Sequence, residues 1–377
     1  RDYKAEIKRR TGIAIEHWAN ASVAKVFKEL GVDFPKTEAG SPSFTKHFLN
    51  AHPNEIAQMI VKLREFDKAD STFIDSIMRH EHKGRIHTEF HQLRKDGGGT
   101  VTGRFSSSNP NLQQFPARDP DIKKAIRGLF LPEEGDKWGS FDYSSQEPRL
   151  LVHFASSLPD SMKHSVVDTI VDEYNNGDVD LHQMAADLAG ISRKEAKVVN
   201  LGSMYGMGVG KLSNQLDISK DEAKDILELY NDKVPFVKQI ATIASQRATT
   251  EGQIRTILGR RCRFHLWEPR TFGYNKAMPL AEAEKEYGGL GMLRRAFTYK
   301  ALNKLIQGSA ADQTKKAMVD CYAENFTPML TVHDELCFSV QNEEQAKRIT
   351  EIMETGLPLN VPTRVDCEMG DNWGEAG

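Results

Sequence analysis

Two short apolar stretches, KWGSFDYSS and MLTVHDELCFSV, constrain the fold more than anything else in the chain, because each reads as a strand interrupted or ended by acid. The first delivers Asp142 at its end, and the second holds His333, Asp334 and Glu335 between two apolar halves. They lie almost two hundred positions apart, and residues 161 to about 304 between them read predominantly as helix. A helical insertion between two parts of one sheet accounts for that order, which is an α+β class. Alone, His333 to Glu335 are better explained as a hairpin tip turned to water. A tight turn also sets acids on rigid strands, where their carboxylates can face a cation.

A length of 377 residues exceeds the usual single core, so more than one subdomain is expected. Residues 1 to about 84 read mostly as helices, with VAKVFKEL and NEIAQMIVKLREFDKA in three-and-four spacing, and GVDFPKTEAGSPSF as the loop between them. From RIHTEFHQL onward short strands alternate, with KDGGG (95–99) as a turn, so a boundary is expected near residue 85. No apolar run approaches the roughly 20 residues that cross a bilayer, and no signal-peptide pattern opens the chain. A cytosol-like compartment is therefore expected. Cys262, Cys321, Cys337 and Cys367 form no CxxC pair, which argues against both a zinc site and a disulfide scaffold. The opening at Arg1 suggests a piece of something longer.

A net charge of −3 does not advertise nucleic-acid binding, but distribution counts for more than the sum. RDYKAEIKRR, RTILGRRCR (255–263) and RRAFTYKALNK (294–304) are basic patches that suit either DNA or a solvated helix face. In SRKEAKVVNLGSMYGMGVG, Arg193, Lys197, Leu201 and Tyr205 recur every fourth residue. On a helix each such step advances about 40° beyond a full turn, so the four form one slowly winding stripe. Two cations can bind phosphate oxygens while Leu201 and Tyr205 offer a surface to a base. A solvated basic helix is the alternative.

Taken together, these segments resemble the family A DNA polymerases. DYSSQEPR resembles the family's first motif, RKEAKVVNLGSMYG its finger-helix motif and VHDE its third, while TGRFSSSNPNLQQFP and LNKLIQGSAAD resemble two further segments, all in family order. The resemblance covers the chain from residue 20 onward and implies a right-hand fold. It implies a partial thumb over 1–84, a palm over 85–160 and 305–377, and fingers over 161–304.

The implied reaction is attack of a primer 3′-hydroxyl on the α-phosphate of a deoxynucleoside triphosphate, with pyrophosphate leaving and two Mg²⁺ ions about 4 Å apart assisting. Mn²⁺ is an expected substitute. By resemblance, Asp142 and Asp334 are the metal ligands with the Tyr143 carbonyl, and Glu335 is a secondary acid. Arg193, Lys197 and His182 hold the triphosphate, with Lys197 the general acid for pyrophosphate. Tyr205 packs near the templating position, and Glu147, with Gln146 beside it, crowds the sugar 2′ position. Arg104, Asn303 and Gln307 reach the minor groove, where acceptors common to all pairs are sensed. His333 sits beside the primer end. The implied partners are primer-template DNA and dNTPs, with no membrane, unnamed replisome or processivity factors, and a monomeric state. Host cytoplasm or an organelle matrix is the implied location.

The chain departs from the family pattern at several places. Leu201 stands where an aromatic ring usually packs on the incoming nucleotide, which predicts retained activity with altered nucleotide handling, including discrimination at the sugar 3′ position. Tyr299 stands where an arginine commonly touches a DNA strand, and Gln146 replaces an aliphatic residue. Residues 264–292 read as longer and more irregular than the bacterial pattern, and with the motifs they resemble phage- or organelle-type members. No proofreading exonuclease pattern is found in these residues. Competing readings are a catalytically silent DNA-binding or accessory subunit, an RNA-making relative, which Glu147 opposes, and an Mg²⁺-dependent nuclease, which has no use for the finger stripe.

Overall fold

The structure, a computed structural model, describes residues 2–92, 99–117, 119–177, 179–204, 207–271, 273 and 275–376. The KDGGG turn falls largely outside the described residues. The chain divides into two units, Arg1–Glu89 with Asn109–Phe130, and Phe90–Ser108 with Leu131–Gly377.

In the first unit, polar caps start several of the helices. Asp2 accepts from the Ala5 N–H ahead of α1 (Tyr3–Thr11), and α2 is Asn20–Glu29. Thr45 caps α3 (Lys46–Ala51), and Asn54 caps α4 (Glu55–Lys68). Such caps satisfy N–H groups that a helix leaves orphaned. A π-helical turn, Ala69–Ile74, joins α4 to α5 (Asp75–His80). The apolar stripes of α1, α2 and α4 bury Ile7, Val23, Phe27, Ile56 and Ile60 in one core, each contributing about 1.5–3 kcal/mol. Helix α6 (Pro120–Arg127) starts at Asp119, whose carboxylate accepts from the Asp121 and Ile122 N–H groups and also pairs with Lys62 of α4.

The second unit is built on a four-stranded antiparallel sheet. Its strands are β1 (Lys137–Tyr143), β2 (Leu330–Val332), β3 (Glu335–Val340) and β4 (Val365–Gly370), in the spatial order β2-β3-β1-β4. Side chains alternate between faces along each strand. Phe141, Tyr143, Leu336, Phe338, Val340 and Val365 therefore point to one face. There they pack on α15 (Ala301–Ala323) and α16 (Glu343–Thr355). Asp142, Ser140, Glu335 and Asp366 are left on the other face.

Between β1 and β2 run α7 (Gln146–Ser156), α8 (Val166–Asn176), α9 (Leu181–Ala189), α10 (Arg193–Met204), α11 (Val209–Leu216), α12 (Lys220–Lys233) and α13 (Pro235–Thr250). They share a core containing Leu150, Tyr174, Val199, Tyr230 and Phe236. The mixed α+β class is the one expected from the sequence. Helix gives way after residue 250, however. Gly252 and Gly259 take positive φ, and Gln253–Arg255 pairs with Arg261–Arg263 in a short antiparallel hairpin. The stretch read as irregular is ordered in part: Leu266–Pro269 pairs with Met278–Pro279 and with Leu293–Arg295. Helix α14 (Leu280–Tyr287) packs there, burying Met278, Ala283 and Leu293.

Candidate active site

The register of the sheet assembles the acids. Glu335 on β3 and Asp366 on β4 are both directly opposite Asp142 on β1. Directly opposed residues share a face of the sheet, so three carboxylates stand in a row. Asp334 occupies the two-residue turn between β2 and β3, closed by the Val332–Glu335 pair, with His333 in the left-handed region at φ 58. The exposed His333 thus stands at the tip and Asp334 is half-buried beside it.

Crowding is legible in the protonation of Asp142. Burial first, and then the charges of Asp334, Glu335 and Asp366, push its carboxyl up to about 7. The register sets two of those like charges, Glu335 and Asp366, directly beside it, and its side chain still reaches solvent. Glu335 is engaged further, accepting a hydrogen bond from the buried Cys337 thiol at 3.2 Å. Among the described residues no three His, Cys, Asp or Glu side chains converge to hold an ion by themselves. Hard carboxylate oxygens suit Mg²⁺ or Mn²⁺, which keep water and phosphate oxygens as further ligands. The donor set fits such ions.

The turn after Asp142 is braced by a residue that carried no assigned role. Arg149, buried on α7, donates through Nε to the Ser144 carbonyl at 2.9 Å and through Nη1 to the Pro362 carbonyl at 2.6 Å. Its guanidinium also lies over the Tyr174 ring, 5.0 Å from the centroid. Ser145 enters α7 at φ 53, a conformation uncommon outside glycine. Tyr143 turns its side chain into the core, where its hydroxyl donates to the Met353 carbonyl at 3.0 Å.

On α10, Lys197 and Leu201 line one cleft of about 530 Å³ with Lys194, Lys211 and Met207. Arg193, at the start of the helix, is held by Asp180, Nε to Oδ2 2.6 Å, and Asp180 also caps α9 through the His182 and Gln183 N–H groups. Burial opposes the charge on Asp180, but the Arg193 guanidinium and the cap hold its carboxyl below the ordinary range. His182 is buried, and Asn200 Nδ2 donates to its Nδ1 at 2.9 Å. Asn200 in turn accepts from the Tyr230 hydroxyl. Burial pushes the His182 imidazole down, with Lys197 and Arg193 adding to the effect against Asp180. Those influences bring His182, Arg193 and Lys197 into one basic neighbourhood, whereas Tyr205 lies outside the described residues.

Glu147 and Arg104 are one unit: Arg104 Nη2 donates to Glu147 Oε1 at 2.7 Å, and Glu147 is buried. Gln146 turns the other way, its Nε2 donating to the Ala310 carbonyl at 3.3 Å and to Thr314 Oγ1 at 3.2 Å on α15. Asn303 and Gln307 are half-buried on the first turns of α15, and Tyr299 is exposed just before it. Arg260 ties this region together. Its Nη2 donates to the carbonyls of Thr102 and Gly308, both at 2.8 Å, and its Nε to Asp312 at 2.9 Å. It thereby joins the segment of Arg104 to the turn of Gln307.

Sequence reasoning missed Asp366, Arg149, Asp180 and Arg260. Asp180 carried a signal, since an Asp just before a helical run reads as a cap. The other three are set by register and tertiary contact.

Comparison with known proteins places these features in a family. The model of DNA polymerase family A matches residues 2–375. A DNA-directed DNA polymerase of Pseudomonas phage M6 is 35% identical, over 99% of this chain and 60% of its own. The thermostable DNA polymerase I of Thermus aquaticus is 31% identical, over 92% of this chain and 40% of its own. The polymerase domain of Pol1 from M. smegmatis, solved in complex with DNA primer-template and dNTP, superposes with a TM-score of 0.73 at 27% identity. That match covers 100% of this chain and 64% of that one, and it bears out the right-hand fold class. The chain spans about three fifths of the length of the phage relatives it matches.

Proposed function

The chain belongs to DNA polymerase family A, and we propose that it is a DNA-templated DNA polymerase, extending a primer 3′-hydroxyl with deoxynucleoside triphosphates and releasing pyrophosphate. The observation that carries this reading is the register that sets Asp142, Glu335 and Asp366 in a row, with Asp334 near enough for its charge to act on Asp142.

Asp142, Asp334 and the Tyr143 carbonyl are the groups that would hold two divalent cations. When bound, these supply Lewis-acid stabilisation to the attacking and leaving oxygens. Everything else falls to the chain's own side chains. Arg193 and Lys197 bind the triphosphate through charge-assisted hydrogen bonds, and His182 adds a donor through Nε2, because Nδ1 is occupied by Asn200. Arg193 changes partner on binding, from Asp180 to phosphate. The exchange costs little, since exposed ion pairs are worth about 0–1 kcal/mol. Lys197 delivers a proton to the departing pyrophosphate.

Glu147, fixed by Arg104, crowds the 2′ position and excludes ribonucleotides. Leu201, in the α10 cleft, packs on the nucleotide, and the role that the family resemblance gives Tyr205 is at the templating base. Gln146, beside Glu147 in the chain, anchors the start of α7 to α15 instead of reaching the nucleotide. Arg104, Asn303 and Gln307 face the minor groove, with His333 at the primer end and Tyr299 along a strand. In these terms the first unit is the partial thumb, the sheet with α15 and α16 the palm, and α8–α13 the fingers. The test is template-directed extension with deoxy- and ribonucleotides: Glu147→Ala is expected to raise ribonucleotide use by at least tenfold. Unchanged discrimination rejects the role given to Glu147.

A further inference from the structure

We propose that the outer edge of β4, with the trough beneath it, docks an extended basic segment of a partner protein as a fifth strand of the sheet. The two edges of the sheet differ. β2 is buried at all three residues, whereas β4 exposes Asp366, Cys367, Glu368 and Met369. The Ser144 N–H donates to the Arg364 carbonyl at 2.9 Å. By the alternation of an antiparallel ladder, Asp366 and Glu368 then face β1, and Val365, Cys367 and Met369 turn their N–H and C=O groups outward. The Val365 N–H is taken by Glu354 Oε1 at 3.0 Å. The outward groups of Cys367 and Met369 have no partner among the described residues.

Below this edge lies a trough of about 440 Å³ between β4 and α16, lined by Cys367, Met369, Glu343, Lys347, Glu351 and Glu354. A strand added to β4 drops alternate side chains into that volume. Charge selects the occupant. The trough holds Glu343, Glu351 and Glu354 against Lys347, with Glu351 already paired to Arg348 at 2.6 Å, and Asp366 and Glu368 line the opposite face of the strand. A second copy of this chain, pairing edge to edge, opposes acid with acid and is disfavoured. Acidic residues guard the edge against self-pairing, as edges require, and leave it open to Lys- or Arg-bearing segments with apolar residues between.

The experiment follows binding of a short fluorescent peptide alternating Val and Lys by anisotropy, beside its backbone N-methylated form and a Val/Glu counterpart. The Val/Lys peptide is expected to bind saturably and to slow amide exchange at Cys367 and Met369. N-methylation, and Glu in place of Lys, are each expected to weaken it about tenfold or more. Cys367→Pro removes an outward N–H without touching the β1 ladder and is expected to do the same at an unchanged melting temperature. Glu343→Lys, which also lines the trough and leaves the backbone intact, is expected to weaken binding through charge and serves if the proline variant misfolds. No saturable binding, equal binding of the N-methylated peptide, or chain dimerisation abolished by Cys367→Pro each overturns the proposal.

Discussion

Asp142 carries a consequence for stability that its sequence neighbours do not suggest. Its carboxyl, ordinarily near 4, is pushed up to about 7, by burial first and then by Asp334, Glu335 and Asp366. Between those values the folded protein binds more protons than the unfolded chain, so this group's contribution to stability falls as pH rises through the window. Solvent access makes the effect smaller than the shift alone implies. Calorimetry without divalent ions is expected to show Asp142→Asn more stable than the unchanged chain at pH 8 and nearly equal at pH 4. A difference independent of pH contradicts the crowding. Asp142 and Asp334 were legible because each ends an apolar strand. Asp366 was not, because VDCEMG has no mark of its own and gains its meaning only from pairing with β1. Leu201 lines the α10 cleft beside Lys197, so Leu201→Phe restores a ring there. Incorporation of dideoxynucleotides relative to deoxynucleotides is expected to change several-fold, and equal ratios count against the placement.

Helices and loops in this chain are pinned by a few polar ties, and those are what sequence patterns reveal least. The stripe on α10 follows from four-residue spacing, yet the Asp180–Arg193 pair and the Tyr230–Asn200–His182 chain appear only once α9, α10 and α12 pack. Arg260 is the strongest case, since its partners lie 158, 48 and 52 positions away. Removing it takes the guanidinium from the buried Asp312, so Arg260→Ala is expected to cost about 3 kcal/mol in denaturant unfolding. It is also expected to reduce discrimination against mismatched primer ends. Loss of stability with intact mismatch discrimination would limit Arg260 to a structural brace. In the first unit, Asp119 caps α6 and pairs with Lys62, and the Lys62 ammonium, followed by the cap N–H of Ile122, holds its carboxyl below the ordinary range. A depressed carboxylate stabilises above its unfolded value near 4 and loses that contribution as pH falls further. Asp119→Ala is expected to cost about 1 kcal/mol at pH 7 and less at pH 3.

The five ordered motifs made the class of the chain legible, because their order fixes a sheet split by helices. The division at residues 89, 108 and 130 was harder to see, since Asn109–Phe130 joins the first unit through packing such as Phe73 on Phe115 at 5.3 Å, not through any break in composition. A net charge of −3 also hid the basic patches, which a primer-template would meet. If roughly six phosphates are contacted, duplex affinity is expected to fall about 10³-fold between 50 and 200 mM salt, with little dependence on sequence. A flat response contradicts the placement of those patches. The decisive measurement is extension of a short DNA primer-template with Mg²⁺ by the unchanged chain and by Asp334→Ala. Template-directed addition of deoxynucleotides that is lost in the variant is the expected result. A chain that binds the duplex and adds nothing, or a variant that extends as well as its parent, contradicts the polymerase assignment and the metal site built on Asp142 and Asp334.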